Sequence, residues 1–370
     1  MKENDEIEQE KIIDQEKIIE KIKTKPDLKK QMKKNILCLG CDVGTMHICC
    51  ARSDSDEINT TRNVFLPLNQ DDTNISDLSD LSYVRSEDDE LFIIGSDAFK
   101  FANIFGKPVS RPMESGLISP KEIDAIDILT LMLKDLIGNV NNREAYVSYS
   151  VPAEAIDEKR SITYHENVFG NIFQSLGINC TSVNEAMAII YSECAKEGFT
   201  GIAISFGAGM ANVAVSYKGT EALTFSTARS GDWIDKNVGD SLGMIPNRVT
   251  GIKEKSMDLT IPSPTNKNKK TKRVLEALYY YHKALIEYTV KEIIKEFDDK
   301  VDIEIDESLP IIISGGTSIP KGFLQLFKEV IASYELPFDI SEIRRAKDPL
   351  TSVSSGLLIR TMSDVKNMHK

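Results

Sequence analysis

The chain of 370 residues is long enough for two domains of ordinary size, and 41% apolar with 28% charged residues is the balance of a globular protein in water. A net charge of −12 argues against general binding to nucleic acid or anionic membrane, both of which repel an acidic surface. No apolar stretch approaches the ~20 residues that span a bilayer, and residues 1–34 carry charge throughout with no apolar h-region, so neither a membrane span nor a signal peptide is expected. A cytoplasmic location follows as the expectation.

In chain order, residues 1–34 read as a separate charged extension that repeats itself, Glu10-Lys11-Ile12-Ile13-Asp14-Gln15 being followed by Glu16-Lys17-Ile18-Ile19-Glu20-Lys21. Its acidic polar face fits a solvated tail or a partner-binding helix better than a lipid-binding one. From Asn35 short β-rich runs alternate with helices, the pattern of an α/β protein. Ile36 to Ala51 reads as a β-hairpin. It carries Cys38, Cys41, Cys49 and Cys50, and the C-x-x-C spacing raises a metal site. Residues three apart on a strand face opposite ways, however, which favours buried reduced thiols. Gln70 to Glu90 reads as an acidic surface loop. Lys121 to Ile137 reads as a helix buried through Ile123, Ile126, Ile128, Leu131, Leu133 and Leu136. Further on, Ala145 to Val151 reads as a strand, Ile162 to Leu176 and Asn184 to Lys196 as helices, and Ile202 to Ser216 as a second hairpin. Ser256 to Arg273 reads as an exposed basic loop, Leu275 to Phe297 as a long helix and Pro310 to Ser314 as a buried strand.

One supersecondary unit occurs twice. Ile36-Leu37-Cys38-Leu39-Gly40-Cys41-Asp42-Val43-Gly44-Thr45-Met46-His47-Ile48 is a strand, a tight D-x-G-T turn and a return strand. Gly201-Ile202-Ala203-Ile204-Ser205-Phe206-Gly207-Ala208-Gly209-Met210-Ala211-Asn212-Val213 has the same shape. Glycine turns of this kind bring several backbone N–H groups to one point, where they can hold phosphate oxygens. An aspartate at the strand end, here Asp42, can orient Mg²⁺ through its water shell. A buried strand and glycine loop, Ile311-Ile312-Ile313-Ser314-Gly315-Gly316-Thr317, supplies a third element that permits close approach to a nucleotide. Each alone is ordinary. Together they imply duplicated domains that face a shared phosphate.

The order of these elements resembles the actin superfamily from Asn35 to Ser363, and within it the MreB- and MamK-like bacterial actins. Arg111-Pro112-Met113-Glu114-Ser115-Gly116-Leu117-Ile118 is similar to their R-P-M-x-D-G-x-I string, Asn184-Glu185-Ala186-Met187-Ala188 to their E-P-M-A helix start, and Gly251-Ile252-Lys253-Glu254-Lys255 to the I-K-E-K segment. Val353 to Leu358 falls where the family has its second interdomain hinge. The resemblance implies an actin-like, ribonuclease H-like duplicated fold: two domains around a nucleotide cleft, each with a smaller inserted subdomain. Residues 1–34 would be the extension. Residues 35–62, 106–183 and 346–370 would form subdomain IA and 63–105 subdomain IB; 184–230 and 275–345 would form IIA, and 231–274 IIB.

The resemblance also implies roles. Asp42 would hold the Mg²⁺ hydration shell, while Gly44, Thr45 and Met46, and from the other domain Gly207, Ala208 and Gly209, would meet the phosphates of ATP. Lys253 and Glu254 would contact the adenine and ribose side, and Gly315, Gly316 and Thr317 would close over the nucleotide. Glu185 would position the attacking water. One departure stands out: the second turn of the family usually reads D-x-G-x-G-T, whereas here Ser205 takes the aspartate position and Met210 that of the threonine. Two unit charges 4 Å apart gain ~4 kcal/mol at an effective dielectric of 20, so the missing carboxylate weakens the metal site. The expectation is a cytoskeletal filament of identical subunits that binds ATP and Mg²⁺ and hydrolyses slowly. The extension would take an adaptor protein, with no direct nucleic-acid contact and at most indirect membrane contact. The alternatives are a non-hydrolysing regulator of another filament and a small-molecule kinase of the same superfamily.

Overall fold

The structure is a computed structural model that describes residues 35–368 apart from 69–80, 86–89, 106–107, 123, 264–267, 302 and 304. The repeated segment at the N-terminus lies outside the described residues. The first half opens with β1 (Ile36–Val43), β2 (His47–Arg52) and β3 (Asn59–Arg62). A small sheet of β4 (Phe65–Pro67), β5 (Tyr83–Arg85) and β6 (Leu91–Ile94) follows and leads into α1 (Gly95–Phe105). The segment read as an acidic loop thus contains a strand: Tyr83 to Arg85 pairs antiparallel with β6, and the rest of that loop is mostly outside the described residues.

A two-stranded hairpin, β7 (Met113–Glu114) and β8 (Leu117–Ile118), precedes α2 (Ala125–Ile137). This helix starts later than the sequence reading placed it. Its buried stripe runs through Leu129 and Met132 as well as Ile128, Leu133 and Leu136, while Ile126 and Leu131 are only half-buried; a run with so many apolar residues leaves the phase of the stripe underdetermined. Next come β9 (Glu144–Val151), α3 (Thr163–Ser175), β10 (Asn179–Asn184) and α4 (Glu185–Glu193). Asn184 caps α4, its side chain accepting from the N–H groups of Ala186 and Met187 at 2.9 and 3.1 Å.

The second half repeats the plan. It has β11 (Gly201–Phe206), β12 (Ala211–Tyr217) and β13 (Thr220–Thr227), then α5 (Gly231–Leu242) and α6 (Pro246–Ser256). The long α7 (Lys269–Lys300), β14 (Leu309–Ser314), a 3₁₀ turn at Gly316–Ser318, α8 (Phe323–Ile331), β15 (Ile340–Arg345) and α9 (Ser352–Met368) complete it. The expected basic loop is shorter than read, because α7 begins at Lys269 with Asn268 accepting from the N–H groups of Lys270 and Thr271.

The two large sheets run β3-β2-β1-β9-β10 and β13-β12-β11-β14-β15. In each, a central hairpin takes a third antiparallel strand on one side, and two parallel strands on the other. The duplication inferred from two glycine turns therefore extends to whole sheets. β11 and β14 are buried at every position, as sheets covered on both faces require. The four clustered cysteines are buried, with Cys41 and Cys50 directly opposite in the β1–β2 register and their sulfurs 2.9 Å apart.

Helix α9 lies between the two sheets, on β1 and β9 of the first and on α4, which itself packs against β11 and β12 of the second. The fit depends on two glycines: a Cβ on Gly40 would strike the Leu358 backbone, and one on Gly356 the Ala188 carbonyl. No helix among the described residues is long and apolar enough to cross a membrane.

Candidate functional site

The two hairpin turns face each other across one cavity of ≈ 340 Å³ between the halves. They are conformational copies. Gly44 N–H donates to the His47 carbonyl at 3.0 Å, and Gly207 N–H to the Met210 carbonyl at 3.0 Å. In both, a Cβ on the glycine would strike that carbonyl, so the tight turn requires glycine. The tip of the β7–β8 hairpin sits between them: Gly116 N–H donates to Thr45 Oγ1 at 3.1 Å, and a Cβ on Gly209 would run into Gly116 and Thr45.

Every residue assigned to the site from sequence lines this cavity: Asp42, Gly44, Thr45, Met46, Glu185, Gly207, Ala208, Gly209, Lys253, Glu254, Gly315, Gly316 and Thr317. The third glycine element comes into place because Gly315 adopts φ +87° directly against the Phe206 backbone, and because Thr317 Oγ1 donates to the Gly207 carbonyl at 2.7 Å. Lys253 and Glu254 line the cavity with their charged ends already engaged. Lys253 Nζ lies 2.8 Å from the Asp235 carboxylate, and Glu254 pairs with Arg62 of the opposite half. Arg111 and Asp232 form a second cross-cleft pair at 2.6 Å.

Asp42, next to last in β1, accepts a hydrogen bond from Ser150 Oγ at 2.8 Å; Ser150 in turn accepts from Val43 N–H at 2.8 Å. Burial raises the Asp42 carboxyl to about 6, against the lowering effect of Ser150. Glu185, first residue of α4, receives Ser205 Oγ–H on one oxygen at 2.6 Å and Asn212 Nδ2–H on the other at 2.9 Å. Burial, and secondarily the charge of Asp42, raises Glu185 to about 8, again opposed by its hydroxyl donor. The bonds found on these two acids come from Ser150, Ser205 and Asn212, none of them charged. Two acids with only neutral donors would gain from a cation held nearby, although among the described residues no group of three or more His, Cys, Asp or Glu is gathered to ligate one. His47, next to the first turn, is held neutral by burial and by the nearby Arg62, its pKa lowered to about 4.

Sequence reading missed Arg62, Arg111, Ser150, Asn212 and Asp235 as site residues. Arg111 stood in the R-P-M string without a role, and Asp235 left a signal by standing one helical turn after Asp232 at the start of α5.

The family model described as Volactin matches residues 37–361. No curated protein matches by sequence. Among solved structures, the subunit of a MamK double helical filament is 17% identical, with a TM-score of 0.64 over 88% of this chain and 98% of its own. MreB5 of Spiroplasma citri bound to AMPPNP is 13% identical, with a TM-score of 0.65 over 91% and 99%. The ethanolamine utilization protein EutJ from Carboxydothermus hydrogenoformans is 16% identical, with a TM-score of 0.51 over 93% and 98%. The chain shares the fold of these solved structures.

Proposed function

The chain belongs to the Volactin family, and from that premise we propose an actin-like protein that binds ATP and Mg²⁺ in its cleft and polymerises into filaments. The observation that carries the reading is the pair of copied glycine turns, one from each half, facing one cavity. Thr45 and Met46 on one side and Ala208 and Gly209 on the other hold the phosphates through backbone N–H groups, while Gly44 and Gly207, whose own N–H groups close the turns, let the loops approach. Asp42 holds the hydration shell of Mg²⁺, which supplies charge neutralisation between the phosphates. Gly315, Gly316 and Thr317 close over the nucleoside. Lys253 and Glu254 shape the base and ribose side through their ion pairs with Asp235 and Arg62. Glu185 positions the attacking water, and hydrolysis is slow because Ser205 brings no carboxylate to the metal side.

The subdomain boundaries expected from the resemblance belong to this proposal, as do an adaptor-binding role for residues 1–34 and a cytoplasmic, cytoskeletal location. Support for self-assembly comes from the fold shared with a filament subunit, and for nucleotide from the AMPPNP-bound relative. Ser205, turned onto Glu185, favours one second reading: a nucleotide-binding partner of another filament that does not hydrolyse ATP.

Binding is tested with a fluorescent ATP analogue. Saturable binding that weakens on removal of Mg²⁺ is expected, and absence of binding refutes the reading. The cross-cleft pairs Arg62–Glu254 and Arg111–Asp232 are partly exposed, so each contributes roughly 0.2–1 kcal/mol to the closed cleft. Replacing both arginines with alanine is expected to speed nucleotide dissociation about twofold to thirtyfold, and salt to accelerate the wild type toward the same rate. Dissociation indifferent to both would mean that these pairs do not hold the cleft shut.

A further inference from the structure

We propose that Asn212 is a positioning residue, which fixes the carboxylate of Glu185 and makes its orientation depend on the strap that joins the two halves. The inference rests on the reading that the cleft binds and hydrolyses ATP.

Asn212 and Ser205 stand directly opposite each other in the β11–β12 register. Cross-strand partners share a face of the sheet, so their two side chains form one fork, and each prong takes one oxygen of Glu185. Asn212 is 1% exposed, and its amide is engaged at both ends. Nδ2 donates to Glu185 Oε2 at 2.9 Å, and Oδ1 accepts from Ala153 N–H at 3.2 Å. The amide cannot be turned over, because that would oppose N–H to N–H and oxygen to carboxylate.

Ala153 belongs to the crossing strap. The chain leaves β9 of the first sheet at Val151, and Ala155 already bridges to Ser226 on β13 of the second. Ser226 Oγ also donates to the Ala153 carbonyl at 2.8 Å. One amide therefore links the crossing point of the halves with the acid at the head of α4. A shift of the strap when the cleft closes or subunits assemble reaches Glu185 through Asn212. Ser205 holds the other oxygen from the same sheet, so the donor at 212 decides which way the carboxylate faces.

The test is Asn212→Asp, which keeps the acceptor for Ala153 and replaces the donor to Glu185 with an oxygen. Single-turnover phosphate release with Mg-ATP is expected to fall about tenfold or more, the scale of a misplaced acid–base group, while nucleotide affinity stays within about threefold. Hydrogen exchange at Ala153 stays slow in Asn212→Asp and becomes fast in Asn212→Leu, which lacks the acceptor. A melting curve accompanies each variant. Wild-type release by Asn212→Asp overturns the proposal, and so does a loss of affinity as large as the loss of release. Wild type that binds ATP and releases no phosphate also overturns it, and leaves the nucleotide-binding reading standing. Wild type that binds no ATP overturns that reading itself.

Discussion

Lys253→Met lowers the stability of the protein by about 3–5 kcal/mol, the cost of leaving one member of a buried ion pair without the other. The Asp235 side chain is 2% exposed and that of Lys253 10%, with 2.8 Å between the ammonium and the carboxylate. Thr250 Oγ1 adds a hydrogen bond to Asp235 at 2.6 Å, and Lys253 Nζ also reaches the Gly231 carbonyl at 3.4 Å. Even in this setting burial raises the Asp235 pKa, with Lys253 the chief opposing influence. Without the ammonium the carboxyl rises further. A carboxyl raised above its unfolded value contributes stability that is full at low pH and is lost as pH climbs through the folded value. The deficit of the variant is therefore smaller at acid pH than at neutral pH. Urea unfolding at both pH values reads this directly, and the double variant Lys253→Met with Asp235→Asn recovers most of the loss. A single variant within 1 kcal/mol of wild type at neutral pH would mean that solvent reaches the pair.

Glu185→Gln abolishes most phosphate release, about a hundredfold or more, with nucleotide affinity close to that of wild type. An amide keeps the shape and cannot take a proton from water. The wild-type rate itself is expected to rise with pH as the carboxyl ionises, at a lower pH than in the nucleotide-free protein because Mg²⁺ offsets the charge of Asp42, and the residual rate of the variant to lack that rise. Stability moves the other way. Because Glu185 is raised from its ordinary value of 4.5, its contribution is full below that pH and is lost as pH rises through about 8. The variant, having no ionisation there, flattens that part of the stability profile. A variant with undiminished release would remove Glu185 from the reaction and take the Asn212 proposal with it.

What the sequence disclosed was the local part of the site. Asp42 at a strand end, and glycines where a Cβ would strike a carbonyl, are requirements of single turns, and such requirements show in consecutive residues. The buried strands were legible for the same reason, β11 and β14 being apolar almost without interruption. Helices α5 and α6 were not legible, because both are largely polar and bury narrow stripes against α7. Nor were the partners of the acids. Ser150, Ser205 and Asn212 reach Asp42 and Glu185 through sheet register and helix packing, which no spacing along the chain encodes. Ser205 was noticed as a missing carboxylate. Its position as a donor to Glu185 required the fold.

The central claim, a nucleotide-driven filament, is tested most directly by light scattering of the purified chain on addition of Mg-ATP, with a nucleotide-free control and negative-stain microscopy of the same sample. A rise that depends on nucleotide, with filaments on the grid, is the predicted result. A flat trace from protein that demonstrably holds ATP would contradict it.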